Sequence, residues 1–130
     1  LDRPEEKTVI DKMRRIVRAV SVQQPYASKI AAGLKTIETR SWYTKYRGEL
    51  LIVSCRLPPI PPAGYALAVC RLADCRRMCP YDVGPACVPW SSWLYAWVLE
   101  DVRAIEPFEV IGRLGFFNIM VTEAQLMTRM

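Results

Sequence analysis

Six short runs rich in β-branched and aromatic residues, each bounded by turn-forming residues, restrict this chain to a small mainly-β fold. They cover 16–22, 37–42, 49–53, 65–72, 93–102 and 116–119. The run Glu49 to Val53 is apolar on both faces, which places it at the centre of a sheet. One helix is expected between the first two runs. Pro25 suits a first helical turn, Tyr26, Ala27, Ile30 and Ala31 fall on one face, and Gly33 follows at the position where positive φ is wanted. Six short strands and one early helix predict an α+β chain dominated by β, folded as a closed or nearly closed barrel that protects its edges. The segment Arg56 to Gly64 holds four prolines and is read as a loop, Pro107 as the end of a turn, and the run from Arg76 to Ser92 as a rim with few strand signals.

Length allows one domain: 130 residues are too few for two comfortable cores. The expected organisation is a charged arm or short helix over 1–15, the barrel over 16–122 and a tail over 123–130. Eighteen lysines and arginines against thirteen acids leave a net charge of +5, which favours polyanionic partners. No apolar run is long enough for a bilayer and nothing reads as a secretory signal, so no membrane association is expected. The five cysteines are read as reduced thiols in an intracellular chain, cytoplasmic or, in a eukaryote, nuclear. Cys55 and Cys70 are placed within apolar strands. Cys75, Cys79 and Cys87 lack a C-x2-C pair, and the chain has no histidine to complete a zinc site, so neither metal nor cofactor is expected. The same absence of histidine excludes Ser-His-Asp and Cys-His catalysis. No phosphate-cradling glycine motif is present.

Chemistry concentrates in Gly33 to Trp42. On a strand, Glu38, Arg40 and Trp42 would share one face, with Lys35 in the preceding turn leaning over either face. Cations, a carboxylate and an indole side by side suit a planar, charged ligand. Lys35, Arg40 and Arg47, with Lys45 nearby, would neutralise phosphate, while Trp42, Tyr43 and Tyr46 would stack on unpaired bases. Gln24 can donate and accept at a base edge. The expected ligand set is therefore Gln24, Lys35, Glu38, Arg40, Trp42, Tyr43 and Arg47. Each also has a structural reading: Glu38 and Arg40 pairing with one another, Arg47 fixing its loop, Trp42 capping the barrel.

Three elements in order, Gln24-Pro25-Tyr26-Ala27, then Gly33-x-Lys35-x-x-Glu38-x-Arg40, then Tyr46-Arg47-Gly48, resemble the ASCH domain family. The resemblance continues through 65–75, 95–102 and 112–119. It is nearest to the ASCH domain of a eukaryotic transcription coactivator and to phage and bacterial single-domain forms. It implies a PUA-like β-barrel, and in it the Leu72-x-Asp74-Cys75 pattern ends a core strand. It also implies RNA or single-stranded nucleic acid, or a nucleotide or modified nucleoside, as ligand. Some members of the superfamily resemble amidohydrolases of acetylated cytidine, but those carry threonine where this chain has Glu38 and lack the Tyr-Arg-Gly element. Others are linked to RNA cleavage. In a hydrolase, protonated Lys35 would stabilise developing negative charge and Glu38 would orient water, assisted by one of Ser91, Ser92, Tyr43 or Tyr95. A third reading is a protein-interaction module in transcription or translation, with the proline loop as its rim.

Overall fold

The computed structural model describes residues 13–130. Most of the arm expected over 1–15 thus lies outside the described residues. The elements run β1 (Arg14–Val22), α1 (Tyr26–Ala31), β2 (Ile37–Arg40), β3 (Gly48–Ser54), β4 (Tyr65–Arg77), α2 (Val83–Ala86), β5 (Tyr95–Glu109) and β6 (Phe116–Thr122). All six strands join one sheet in the order β2-β5-β4-β3-β1-β6, so the fold is mainly β with short helices, as expected. Among the described residues only the β1–β3 pairing is parallel, and its crossover carries α1 and β2.

β3 is central because both its faces are needed. Leu50 and Ile52 face a core formed with Val20, Val22, Leu72 and Trp97, while Leu51 and Val53 face a second core with Val17, Val69 and Val121. β1 alternates in the same way, since consecutive strand residues point to opposite faces. Ala27 and Ile30 of α1 close over the first core. Gly33 ends that helix at φ 79°.

β4 and β5 run further than their apolar stretches suggest. Their long antiparallel pairing reaches Arg77 opposite Tyr95 and carries Asp74, Arg76 and Arg77 along with it. Register shifts interrupt the ladder, and Asp101, at φ 53°, takes up one of the extra residues. Pro107 does not end a turn; it lies inside β5. There it falls in the register shift between the Ala68–Ala104 and Ala66–Phe108 pairs, a bulge position at which proline is tolerated. Cys55 is one residue beyond β3 rather than inside a strand. Cys70 and Cys75 are buried in β4, and burial pushes the Cys70 thiol up to about 12.

Among the described residues no ladder joins β2 to β6, the two ends of the sheet. Aromatic side chains close this seam. Trp42, just beyond β2, meets Trp97 of β5 edge-on at 4.8 Å between centroids and Phe116 of β6 at 5.3 Å. Trp97 and Phe116 are 5.2 Å apart. At the other end of β1, Arg15 forks onto Glu49 of β3 at 2.5 and 2.8 Å and donates to Glu123 at 2.6 Å. It thereby ties β1 to β3 and to the segment after β6. That segment turns at Ala124–Leu126, buries Leu126 against the second core and bridges back to Ile105 through Thr128.

Candidate functional site

Lys35 is placed by main-chain bonds on both sides. Leu34 and Lys35 N–H groups donate to the Lys29 carbonyl at 2.9 and 3.1 Å, closing the end of α1. Thr36 N–H donates to Pro85 at 2.9 Å, and the Thr36 carbonyl accepts from Leu99 at 2.9 Å. The lysine side chain consequently points inward and is only 1% exposed. Its ammonium donates to the Ala86 carbonyl at the end of α2 and lies 3.6 Å from Glu38 Oε1. It also sits 5.2 Å from the centre of the Tyr26 ring. Burial lowers the Lys35 pKa from its ordinary value, and the Glu38 carboxylate opposes that shift.

Glu38 joins the two cations. Its Oε2 accepts from Arg40 Nε at 3.0 Å and lies 2.9 Å from Arg40 Nη2. Arg40 Nη2 also donates to the Ser21 carbonyl at 2.6 Å, so a β2 side chain is moored to the end of β1. Lys35, Glu38 and Arg40 floor a cleft of about 710 Å³. Its walls include Ser21, Tyr26, Cys55, Trp93, Arg113 and Leu114. The volume is within the usual range for small-molecule sites, roughly 300–1,000 Å³. Among the described residues no cluster of three His, Cys, Asp or Glu side chains is arranged to hold a metal.

Gln24, Trp42, Tyr43 and Arg47 do not line this cleft. Gln24 is buried, but its amide donates to Ser28 Oγ at 2.7 Å and to the Pro62 carbonyl at 3.1 Å, and its Oε1 accepts from Ser28 N–H at 2.9 Å. It joins α1 to the proline loop. Trp42 belongs to the aromatic seam. Tyr43 and Arg47 form part of a row at one end of the sheet: Arg47 over Tyr43 at 6.0 Å, Tyr43 against Tyr95 at 5.8 Å, and Arg77 over Tyr95 at 4.6 Å. Arg47 also donates to the Thr44 and Tyr46 carbonyls at 2.9 Å each. Neither Tyr43 nor Tyr95 lines the cleft, nor do Ser91 and Ser92; the hydroxyls that do are on Ser21, Tyr26, Thr39 and Ser41.

Sequence reasoning missed Trp93, Arg113 and Cys55 as cleft residues. Gly112 and Gly115, which bracket Arg113 and Leu114, were the available signal for the loop at 111–115. Burial pushes the Cys55 thiol up, which makes it a poor nucleophile near neutral pH.

The helix that supplies the carbonyl receiving Lys35, α2, starts just after a residue held by an ion pair, Asp82. Arg76 forks onto Asp82 at 2.7 and 2.9 Å, and Cys79 N–H donates to the same carboxylate at 2.9 Å. The Arg76 hydrogen bonds hold Asp82 at about 2, below its ordinary 3.8. The sign follows: stability from this clamp is complete above the ordinary value and is lost as pH falls through about 2. Because Arg76 is partly exposed, we expect Asp82→Asn to cost on the order of 1–2 kcal/mol at neutral pH. Urea unfolding at neutral and at strongly acid pH would check this. The gap between parent and variant should close in acid; a constant gap would refute the clamp.

A model of the ASCH domain matches residues 20–111. Activating signal cointegrator 1 of Homo sapiens is 48% identical over 42 residues, covering 32% of this chain and 7% of that protein. The Mus musculus protein of the same name is 45% identical over 42 residues. The match thus spans a small fraction of these relatives. Among solved structures, ASCH from Zymomonas mobilis superposes with a TM-score of 0.57 at 16% identity, covering 72% of this chain and 73% of that one. A mutant of the same protein gives 0.57 at 16% identity over 72% of this chain and 75% of that chain. These structures share the fold.

Proposed function

Because the chain belongs to the ASCH domain family, we propose that it binds RNA or single-stranded nucleic acid in the cleft floored by Lys35, Glu38 and Arg40. The observation that carries the reading is the charge balance of that cleft. Lys35, Arg40 and Arg113 face it with Glu38 as the one carboxylate among its lining residues. Glu38 holds two cations in position without cancelling both. Such a preorganised excess of positive charge suits phosphate, and its release of counterions makes binding salt-dependent. The Tyr26 ring lines the wall, and the Trp93 indole, 60% exposed at the mouth, offers a face for an unpaired base. Five free cysteines fit a reduced compartment, and among the described residues no helix is long and apolar enough to cross a membrane.

The test is a salt titration of binding to labelled single-stranded RNA and DNA, with Arg40→Ala against Arg71→Ala as control. Arg71 pairs with Glu100 and Asp101, away from the cleft. Arg40→Ala should weaken binding about tenfold and flatten the salt slope by about one. Equal binding by Arg40→Ala and the parent at matched low salt would sink the proposal. Thermal unfolding of each variant guards against loss of fold.

A hydrolytic reading has one specific support, the buried lysine whose pKa is lowered beside a carboxylate in a cleft. Running the same samples on a gel decides it. Cleavage without added metal, lost in Lys35→Met, would make the cleft an active site; intact products would leave a binding module. If neither strand type binds, a protein partner in transcription becomes the reading to test, as the name of the human and mouse relatives suggests.

A further inference from the structure

We infer that the cleft is one half of a two-nucleotide site, and that a groove behind the 111–115 loop receives the neighbouring base. The inference rests on the nucleic-acid reading above. The groove has a volume of about 460 Å³ and shares Ser21, Cys55, Arg113 and Leu114 with the cleft, so the two adjoin along these residues. Its own lining adds Arg56, Leu57 and Ile111.

Charge decides what class of ligand fits. No carboxylate lines the groove, and neither Arg56 nor Arg113 forms an ion pair with another described residue. Arg113 stands where the two halves meet, the position that a phosphate linking two bases would occupy. The remaining surface is apolar. Leu57, Ile111 and Leu114, which are 74%, 79% and 99% exposed, present solvated aliphatic side chains along one groove. Aliphatic side chains with guanidinium planes can pack on both faces of an unpaired base.

The groove is also built before any ligand arrives. Val110 N–H donates to the Gly64 carbonyl at 3.0 Å, and Gly64 N–H donates to Ser54 at 2.9 Å, tying the loop to the end of β3. Gly112 lies so close to β1 that a Cβ there would stand 2.6 Å from Ser21 Oγ. A base entering the groove therefore meets walls already in place, which limits the ordering cost of binding.

The experiment compares nucleoside 5′-monophosphates with the matching dinucleotides, by NMR titration of the full chain. Dinucleotides should bind about tenfold more tightly, consistent with one added stacked base. In Ile111→Asp and Arg56→Ala, both exposed positions outside the cleft, monophosphate affinity should hold while the dinucleotide gain disappears. Equal affinity for mono- and dinucleotides would overturn the second subsite and leave the cleft as a single-nucleotide site. So would a gain that survives both substitutions. Binding of neither would remove the nucleic-acid reading itself, and the inference with it.

Discussion

Replacing Trp97 with alanine is expected to lower the free energy of unfolding by about 3–5 kcal/mol. Trp97 is fully buried at the centre of the first core and is the largest such side chain in the described chain. Its ring is one corner of the aromatic triangle at the seam, touching both Trp42 and Phe116. Its indole N–H donates to the Trp42 carbonyl at 3.4 Å. Truncation would leave a cavity between the Trp42 and Phe116 rings, where β2 and β6 share no ladder and only side chains pack across the gap. Partners opposite Trp97 in the two ladders, Glu38 and Cys75, would lose the same support. Equilibrium urea denaturation measures the effect. Trp97→Phe, which keeps an aromatic edge, should cost appreciably less. A loss below about 1 kcal/mol for the alanine variant would mean that the seam is held by something other than packing.

Glu38→Ala should be as damaging, for a different reason. It strands a protonated lysine that is 1% exposed, leaving only the Ala86 carbonyl and the Tyr26 ring as partners. Removing one partner of a buried ion pair costs about 3–5 kcal/mol. Removing both should cost far less, so Lys35→Met combined with Glu38→Ala is expected to recover most of the lost stability. The single variant also acquires a pH signature. Burial already lowers the Lys35 pKa, and Glu38 is the strongest opposing influence. Without it the folded-state value falls further below the ordinary 10.5. Below the folded value both states hold the proton and the full penalty applies. Between the two values the unfolded chain holds more protons, so stability rises with pH. Unfolding curves from neutral to alkaline pH would show a climb in Glu38→Ala that is absent in the double variant. Failure of the double variant to recover would assign the cost to Arg40, which would lose its carboxylate in both.

The local parts of this fold were readable in the chain because their causes are local. β3 declared itself by burying consecutive residues, and α1 by Pro25, its apolar face and Gly33. The far ends of β4 and β5 were not readable, because Asp74, Arg76 and Arg77 extend only through pairing with a partner some twenty residues away. The same division runs through the candidate site. The meeting of Lys35, Glu38 and Arg40 follows from their spacing around one short strand. What their neighbours do is in part a tertiary matter: Gln24 bonds the nearby Ser28 but also the distant Pro62 carbonyl, and Trp42 turns into the seam against Phe116. Trp93 and Arg113 reach the cleft from distant segments, and nothing near either residue points to Lys35.

The cleft opens where the outermost strands meet through side chains alone, between β2 on one side and the approach to β6 on the other. Reshaping its mouth at Trp93 or along 113–115 therefore leaves every rung of the ladder untouched. If the proposed binding in the cleft holds, selectivity would reside in the mouth residues and robustness in the ladder. Exchanging the mouth residues, with the Lys35–Glu38–Arg40 floor kept, is thus a route to retargeted variants that keep the parent's melting behaviour.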